Sequence, residues 1–125
     1  MDAFGHVNNV VYFQYFEAAR IEFLTRVGWM ASKDRTGHGP IVHSTSARYR
    51  RPLNYPDELR VGGRVTELRI DRVTIEHVIW SNRQNAIVAE GQVVVVNFDY
   101  RAGAKAPIPG AVRAAILNVD KAAKT

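Results

Sequence analysis

The run Asp2-Ala3-Phe4-Gly5-His6-Val7-Asn8-Asn9, continuing as Val10-Val11-Tyr12-Phe13-Gln14-Tyr15-Phe16-Glu17-Ala18-Ala19-Arg20, sets much of this chain's polar chemistry at the entrance to one apolar helix. Apolar side chains recur at helical spacing from Asn9 to about Trp29, through Val10, Phe13, Ile21, Leu24 and Val27. Asn8 or Asn9 suits the start as a cap, and Gly28 suits the end. Tyr12, Phe16, Ala19 and Phe23 make the other side equally apolar, which predicts a helix wrapped on most sides. The first backbone N–H groups of such a helix, around Asn9 and Val10, lack intrahelical acceptors and can polarise a carbonyl. Asp2 precedes this entrance with Gly5 allowing a tight turn between, so its carboxylate can return to attack a carbonyl carbon or activate water. His6 suits loop orientation, donation to a ligand carbonyl, or base chemistry. Glu17 suits a second base facing a pocket or a surface pair with Arg20. The same spacing fits Asp2 as a plain terminal carboxylate or cap, and these residues alone leave both readings open.

Outward from the helix, Met30 to Pro40 carries Ser32, Lys33, Asp34, Gly37, Gly39 and Pro40, the composition of a connection. From Ile41 the period changes to two, with Ile41, His43, Thr45, Ala47 and Tyr49 on one face and Val42, Ser44, Ser46 and Arg48 on the other. Pro52 and Pro56 end that strand. Leu59 to Ile70 reads as a strand broken or bulged at Gly62-Gly63, followed by a turn at Asp71-Arg72 and a strand from Val73 to Trp80. After a turn at Ser81 to Gln84, Asn85 to Phe98 is apolar on both faces at Val93-Val94-Val95-Val96, as a central strand covered by the helix must be. A short helix is expected from Gly110 to about Val119. One long helix and about four strands predict an α+β fold, a curved antiparallel sheet wrapped around one long central helix, in a single domain over residues 1–125.

The net charge of +5 favours anionic partners, but Arg and Lys are spread along the chain. Without cysteine there is no thiolate or disulfide chemistry. His6, His38, His43 and His77 lack metal-ligand spacing, so no metal is expected, and His43 and His77 read as packed or surface residues. Neither a phosphate loop nor a G-x-G-x-x-G fingerprint is present. With no apolar run long enough to span a bilayer and no signal-like start, a cytoplasmic location and no membrane partner are expected.

The Asp2 to Asn9 block, followed by Tyr12, Tyr15-Phe16-Glu17 and Arg20, resembles the hotdog-fold acyl-CoA thioesterases of the 4-hydroxybenzoyl-CoA thioesterase type. The resemblance extends through Tyr49-Arg50-Arg51-Pro52-Leu53 and the alternation from Val61 to Val96 to Pro107-Ile108-Pro109. It implies a homodimer with a continuous sheet and interfacial active sites, a dimer of dimers being left open. Asp2 would be the nucleophile or general base, the Asn9 N–H the donor to the thioester carbonyl, and His6 a positioning group beside Gly5 in the turn. No cofactor is implied, since coenzyme A is part of the substrate. Arg50, Arg51, Arg101 and Lys105 are candidates to meet its phosphates. The acyl slot is expected between helix and sheet along Val11, Tyr12 and Tyr15. Family members enter the motif from a first strand, and with Met1 alone before Asp2 the sequence leaves open whether that strand has been lost or its edge is supplied some other way. The rival reading is a non-hydrolytic binder of acyl-CoA or acyl carrier protein. Nucleic-acid binding is the remote one, for want of a recognition motif.

Overall fold

The computed structural model describes residues 9–54 and 56–119, with side-chain surroundings from residue 12 onward. The elements are α1 (Asn9–Arg26), α2 (Trp29–Thr36), β1 (His38–Tyr49), β2 (Leu59–Leu68), β3 (Arg72–Ser81), β4 (Ala86–Asp99), β5 (Ala104–Lys105) and α3 (Gly110–Val119). The strands form one curved antiparallel sheet in the order β1-β4-β3-β2, with β5 folded back onto the end of β4. As its unbroken valine run requires, β4 is central, and Val93, Val95 and Val96 are buried. The anticipated leading strand concerns residues 1–8, outside the described residues. No helix among the described residues is long and apolar enough to cross a membrane.

The expectation of one long central helix is corrected to three helices among the described residues: α1, the short α3 where a helix from Gly110 to about Val119 is expected, and α2, which the sequence reading took for a connection. Gly28, at φ 76°, ends α1, and the stretch expected as a connection coils again as α2. Its first turn closes when the Ser32 N–H donates to the Gly28 carbonyl at 3.0 Å, and Gly37, at φ 81°, ends it with its N–H on the Lys33 carbonyl. Burial overrides polar composition here, because Trp29 is fully enclosed while Lys33, Asp34 and Arg35 face solvent. Trp29 joins Leu24, Val65, Val95, Val112 and Ile116 in the larger core cluster. Each such side chain contributes roughly 1.5–3 kcal/mol on burial, so packing rather than intrinsic propensity holds α2 and α3.

The helix α1 lays Tyr12, Phe16 and Leu24 on the protein interior and leaves Phe13 and Ile21 47% and 44% exposed. Wrapping on most sides is therefore not supplied by the described residues of one chain. Two strand readings also change. A bulge between Val42 and Ser44 puts Val42 opposite Val95 and Thr45 opposite Val93, so Val42 shares the inner face with Thr45 while Ile41 moves outward. The irregularity expected at Gly62-Gly63 lies instead between Val65 and Glu67, and both glycines pair regularly with β3. Glycine at position 63 makes room, since a Cβ there would stand 2.7 Å from His77 Nδ1.

Candidate functional site

Asp2, Gly5 and His6 lie outside the described residues, so the site is built from the helix they lead into. Asn9 opens α1, and its amide is among the four that have no intrahelical acceptor. One turn further on, Phe13, Phe16, Glu17 and Arg20 follow at i, i+3, i+4 and i+7, a spacing that stacks them on one side of the helix. They line a cleft of about 280 Å³ whose other wall is Val42 and Thr45 of β1 and whose base is Gly91 and Val93 of β4 with His77 of β3. Glu17 and Arg20 thus share one cleft, with the two phenylalanines on the turn that precedes them. A second cavity of about 410 Å³ lies between α1 and β2, along Phe23, Gly62, Gly63 and Arg64, and His77 borders it as well.

His77 is the residue that sequence reasoning passed over as packed or surface. It is 3% exposed, and among the described residues neither ring nitrogen makes a hydrogen bond of good geometry. The register explains how it fits. Gly63, His77 and Gly91 are successive neighbours across β2, β3 and β4. The Phe16 ring fills the space over Gly91, where a Cβ would meet it at 3.1 Å, and lies nearly parallel to the imidazole, 29° between planes with centroids 6.2 Å apart. Two strand glycines are the signal that marks this row, but only the register aligns them on the histidine.

Burial, and then the Arg20 guanidinium, lowers the His77 pKa below its ordinary 6.5, the Gly62 backbone offsetting this in part. The unfolded chain therefore binds a proton near pH 6.5 that the folded protein refuses until lower pH. Stability is lost as pH falls from 6.5 toward the lowered value. Asp57, Asp71 and Asp99 have depressed values, held mainly by Ser81, by Arg72 and by the Ala102 amide respectively, and they weaken the fold only below their ordinary 3.8. Thermal melts at pH 7 and pH 5 are expected to show a fall in Tm that His77→Leu largely removes.

The remaining candidates are dispersed. Tyr12 is a core residue, stacked on Tyr49 at 5.0 Å and donating to the Arg51 carbonyl at 3.2 Å, and burial raises the pKa of both phenols. Tyr15 is partly buried against the same cluster, and the side chain of Val11 lies outside the described surroundings. Neither Tyr12 nor Tyr15 lines the 280 Å³ cleft, whose helical wall is formed by their neighbours one residue on. Arg50 pairs with Glu90 at 3.1 Å, next to exposed Arg51 at the end of β1. Arg101 lies across Gly37, near the beginning of β1, and Lys105 is exposed on β5. The β1 ladder runs from His38 opposite Asp99 to Tyr49 opposite Ala89, so the two basic pairs stand on the order of 35 Å apart within one chain.

A profile of the thioesterase-like superfamily matches residues 1–116. The chain is 27% identical to the chloroplastic acyl-acyl carrier protein thioesterase ATL3 of Arabidopsis thaliana over 94% of its own length, and spans 62% of that protein. Among solved structures, a thioesterase from Thermus thermophilus complexed with coenzyme A and Zn is 30% identical. It has a TM-score of 0.80, with 97% of this chain and 86% of that chain covered. The gentisyl-coenzyme A thioesterase BH1999 is 25% identical at a TM-score of 0.74, with 93% and 90% covered. With the profile spanning nearly the whole chain and both structures matching more than nine-tenths of it, the chain belongs to the thioesterase-like superfamily.

Proposed function

We propose that this chain is an acyl-CoA thioesterase of the 4-hydroxybenzoyl-CoA type that hydrolyses its substrate to a free acid and coenzyme A. The observation that carries this reading is the place where α1 begins. Asn9 is both the last residue of the Asp2 to Asn9 block and the first of the helix, whose next turns border an apolar-based cleft. A thioester carbonyl at that helix end accepts from the Asn9 N–H, which stabilises the oxyanion as the carbonyl carbon is attacked. The Asp2 carboxylate either adds to the carbon itself, giving an anhydride that water then opens, or takes a proton from the attacking water. In both routes the C–S electron pair leaves with sulfur, which takes up a proton to become the thiol. His6 positions the loop, Glu17 is a second carboxylate at the cleft, and the acyl group enters beside Phe13 and Phe16. Arg50, Arg51, Arg101 and Lys105 meet coenzyme A phosphates in a homodimer, since one chain does not gather them. A cytoplasmic enzyme acting on coenzyme A esters fits this reading.

The Arabidopsis relative favours acyl carrier protein as the second thiol carrier to examine. Thiol release is expected from one or more members of a panel of short, long, branched and aromatic acyl-CoA esters, with the same acyl groups on carrier protein run alongside. Tight binding of acyl-CoA with no thiol released would replace hydrolysis by the non-hydrolytic reading.

A further inference from the structure

We propose that Tyr12 is a positioning residue, whose hydroxyl fixes the turn Arg51-Pro52-Leu53 so that Arg51 stands near the helix entrance and takes a phosphate of the substrate's thiol carrier. This rests on the thioesterase reading, which seats the thioester at the start of α1. Coenzyme A and the phosphopantetheine arm of acyl carrier protein share that chemistry, an anion joined to the thioester by a pantetheine chain. The Tyr12 hydroxyl donates to the Arg51 carbonyl at 3.2 Å, and its ring is buried, stacked on Tyr49 at 5.0 Å. Burial raises the pKa of this phenol and the Leu53 backbone opposes the rise, so the oxygen stands by both ends of the turn.

Other anchors hold the turn to the sheet. The Arg50 and Arg51 N–H groups both donate to the Val88 carbonyl, at 2.8 and 3.2 Å, and Gln84 Nε2 donates to the Pro52 carbonyl at 2.7 Å. Leu53 is buried in the cluster that holds Tyr12, Ile79 and Val88. The Tyr12 bond ties this same turn to α1. Tyr12 is three residues beyond Asn9, roughly 4.5 Å along the axis at 1.5 Å per residue, so the turn meets the helix less than one helical turn from the proposed oxyanion donor. The two arginines here differ. Arg50 is paired with Glu90 at 3.1 Å, whereas Arg51 is exposed and among the described residues makes no ion pair. A guanidinium is always charged and presents a planar fork that matches phosphate oxygens. With its backbone pinned, Arg51 has only its side chain left to order when the anion arrives, which lowers the cost of binding.

The test takes the acyl group of the panel ester hydrolysed fastest and measures KM and kcat for its thioesters with coenzyme A, phosphopantetheine and phosphate-free pantetheine. Tyr12→Phe, which removes only the hydroxyl, is expected to raise KM for acyl-CoA about threefold to tenfold with kcat unchanged, and to leave KM for the pantetheine ester unchanged. Arg51→Gln should raise the acyl-CoA KM about tenfold or more and Arg51→Lys less, and in the Arg51→Gln background Tyr12→Phe should add nothing further. Gln84→Ala, which frees the same turn at Pro52 without touching the core, should show the same split and serves if Tyr12→Phe does not fold. An effect shared by the phosphopantetheine ester assigns the phosphate next to pantetheine, which acyl carrier protein also bears, and an effect confined to the coenzyme A ester assigns the nucleotide phosphates. An unchanged acyl-CoA KM in Tyr12→Phe, an equal rise for the pantetheine ester, or additive effects of the Tyr12 and Arg51 changes overturns the proposal. Should the wild type hydrolyse none of the esters, the thioesterase reading falls, and calorimetric titration with coenzyme A and with pantetheine tests the contact alone. Weaker binding of coenzyme A only in Tyr12→Phe then supports it, and equal binding overturns it.

Discussion

Asp2→Asn is expected to lower turnover at least about a hundredfold with the protein still folded. The substitution changes volume little but removes the negative charge and the basic lone pairs, so the side chain neither adds to a thioester carbon nor takes a proton from water. The loss belongs in kcat. In the proposed mechanism substrate binding rests on the cleft along Phe13 and Phe16 and on the Asn9 amide, which this change leaves in place. Thiol release across the ester panel measures the effect, and circular dichroism with the melting temperature checks the fold. Full turnover in the folded variant would remove Asp2 from the mechanism and transfer the search to Glu17.

Asn97→Ala is expected to destabilise the protein by about 3 kcal/mol, lowering Tm by roughly 10 °C. Asn97 is fully buried near the end of β4. Its Oδ1 accepts from the Trp29 indole at 3.0 Å, and because an indole N–H only donates, this contact fixes which way the amide faces. Its Nδ2 then lies 3.2 Å from the Ala106 carbonyl, 3.0 Å from the Pro107 carbonyl and 3.1 Å from His38 Nδ1. One side chain therefore ties α2, the start of β1 and the segment leading to α3 to the central strand. Truncation leaves the Trp29 N–H and the Pro107 carbonyl without that partner. Trp29→Phe removes the other side of the same bond, so the double variant with Asn97→Ala should cost less than the sum of the single changes. Chemical unfolding of the four proteins measures this coupling, and strict additivity would show that the pair does not act together.

Much of this architecture is readable one residue at a time, and the exceptions have a common cause. Alternation marks β3, and the double-faced apolar run of Val93 to Val96 marks β4 as central, because a strand covered on both sides has no position for a solvated side chain. Gly28 was legible as the end of α1. The helix beyond it was not, since Ser32, Lys33 and Asp34 have the composition of a turn and only the pocket that encloses Trp29 rewards coiling there. One bulge exchanged the faces of Ile41 and Val42 relative to Thr45, Ala47 and Tyr49, and no local propensity reports a register shift that depends on the partner strand.

The candidate site divides along the same line. The contiguous block Asp2 to Asn9 was legible as a candidate because carboxylate, turn and helix entrance are neighbours in the chain, and it was the family resemblance that favoured chemistry over a plain terminal carboxylate or cap. His77 had no such signal, since Phe16, Gly63 and Gly91 are all far from it in sequence and meet it through helix packing and strand pairing. The order of neighbouring side chains by itself determined the helix entrance and the central strand, because a cap, an apolar period and a run apolar on both faces are local patterns, while the superfamily was indicated by the resemblance of the Asp2 to Asn9 block. Only the tertiary structure decided which imidazole is buried beneath the Phe16 ring and which basic residues stand apart, because those are properties of distances between segments that the chain's order does not contain.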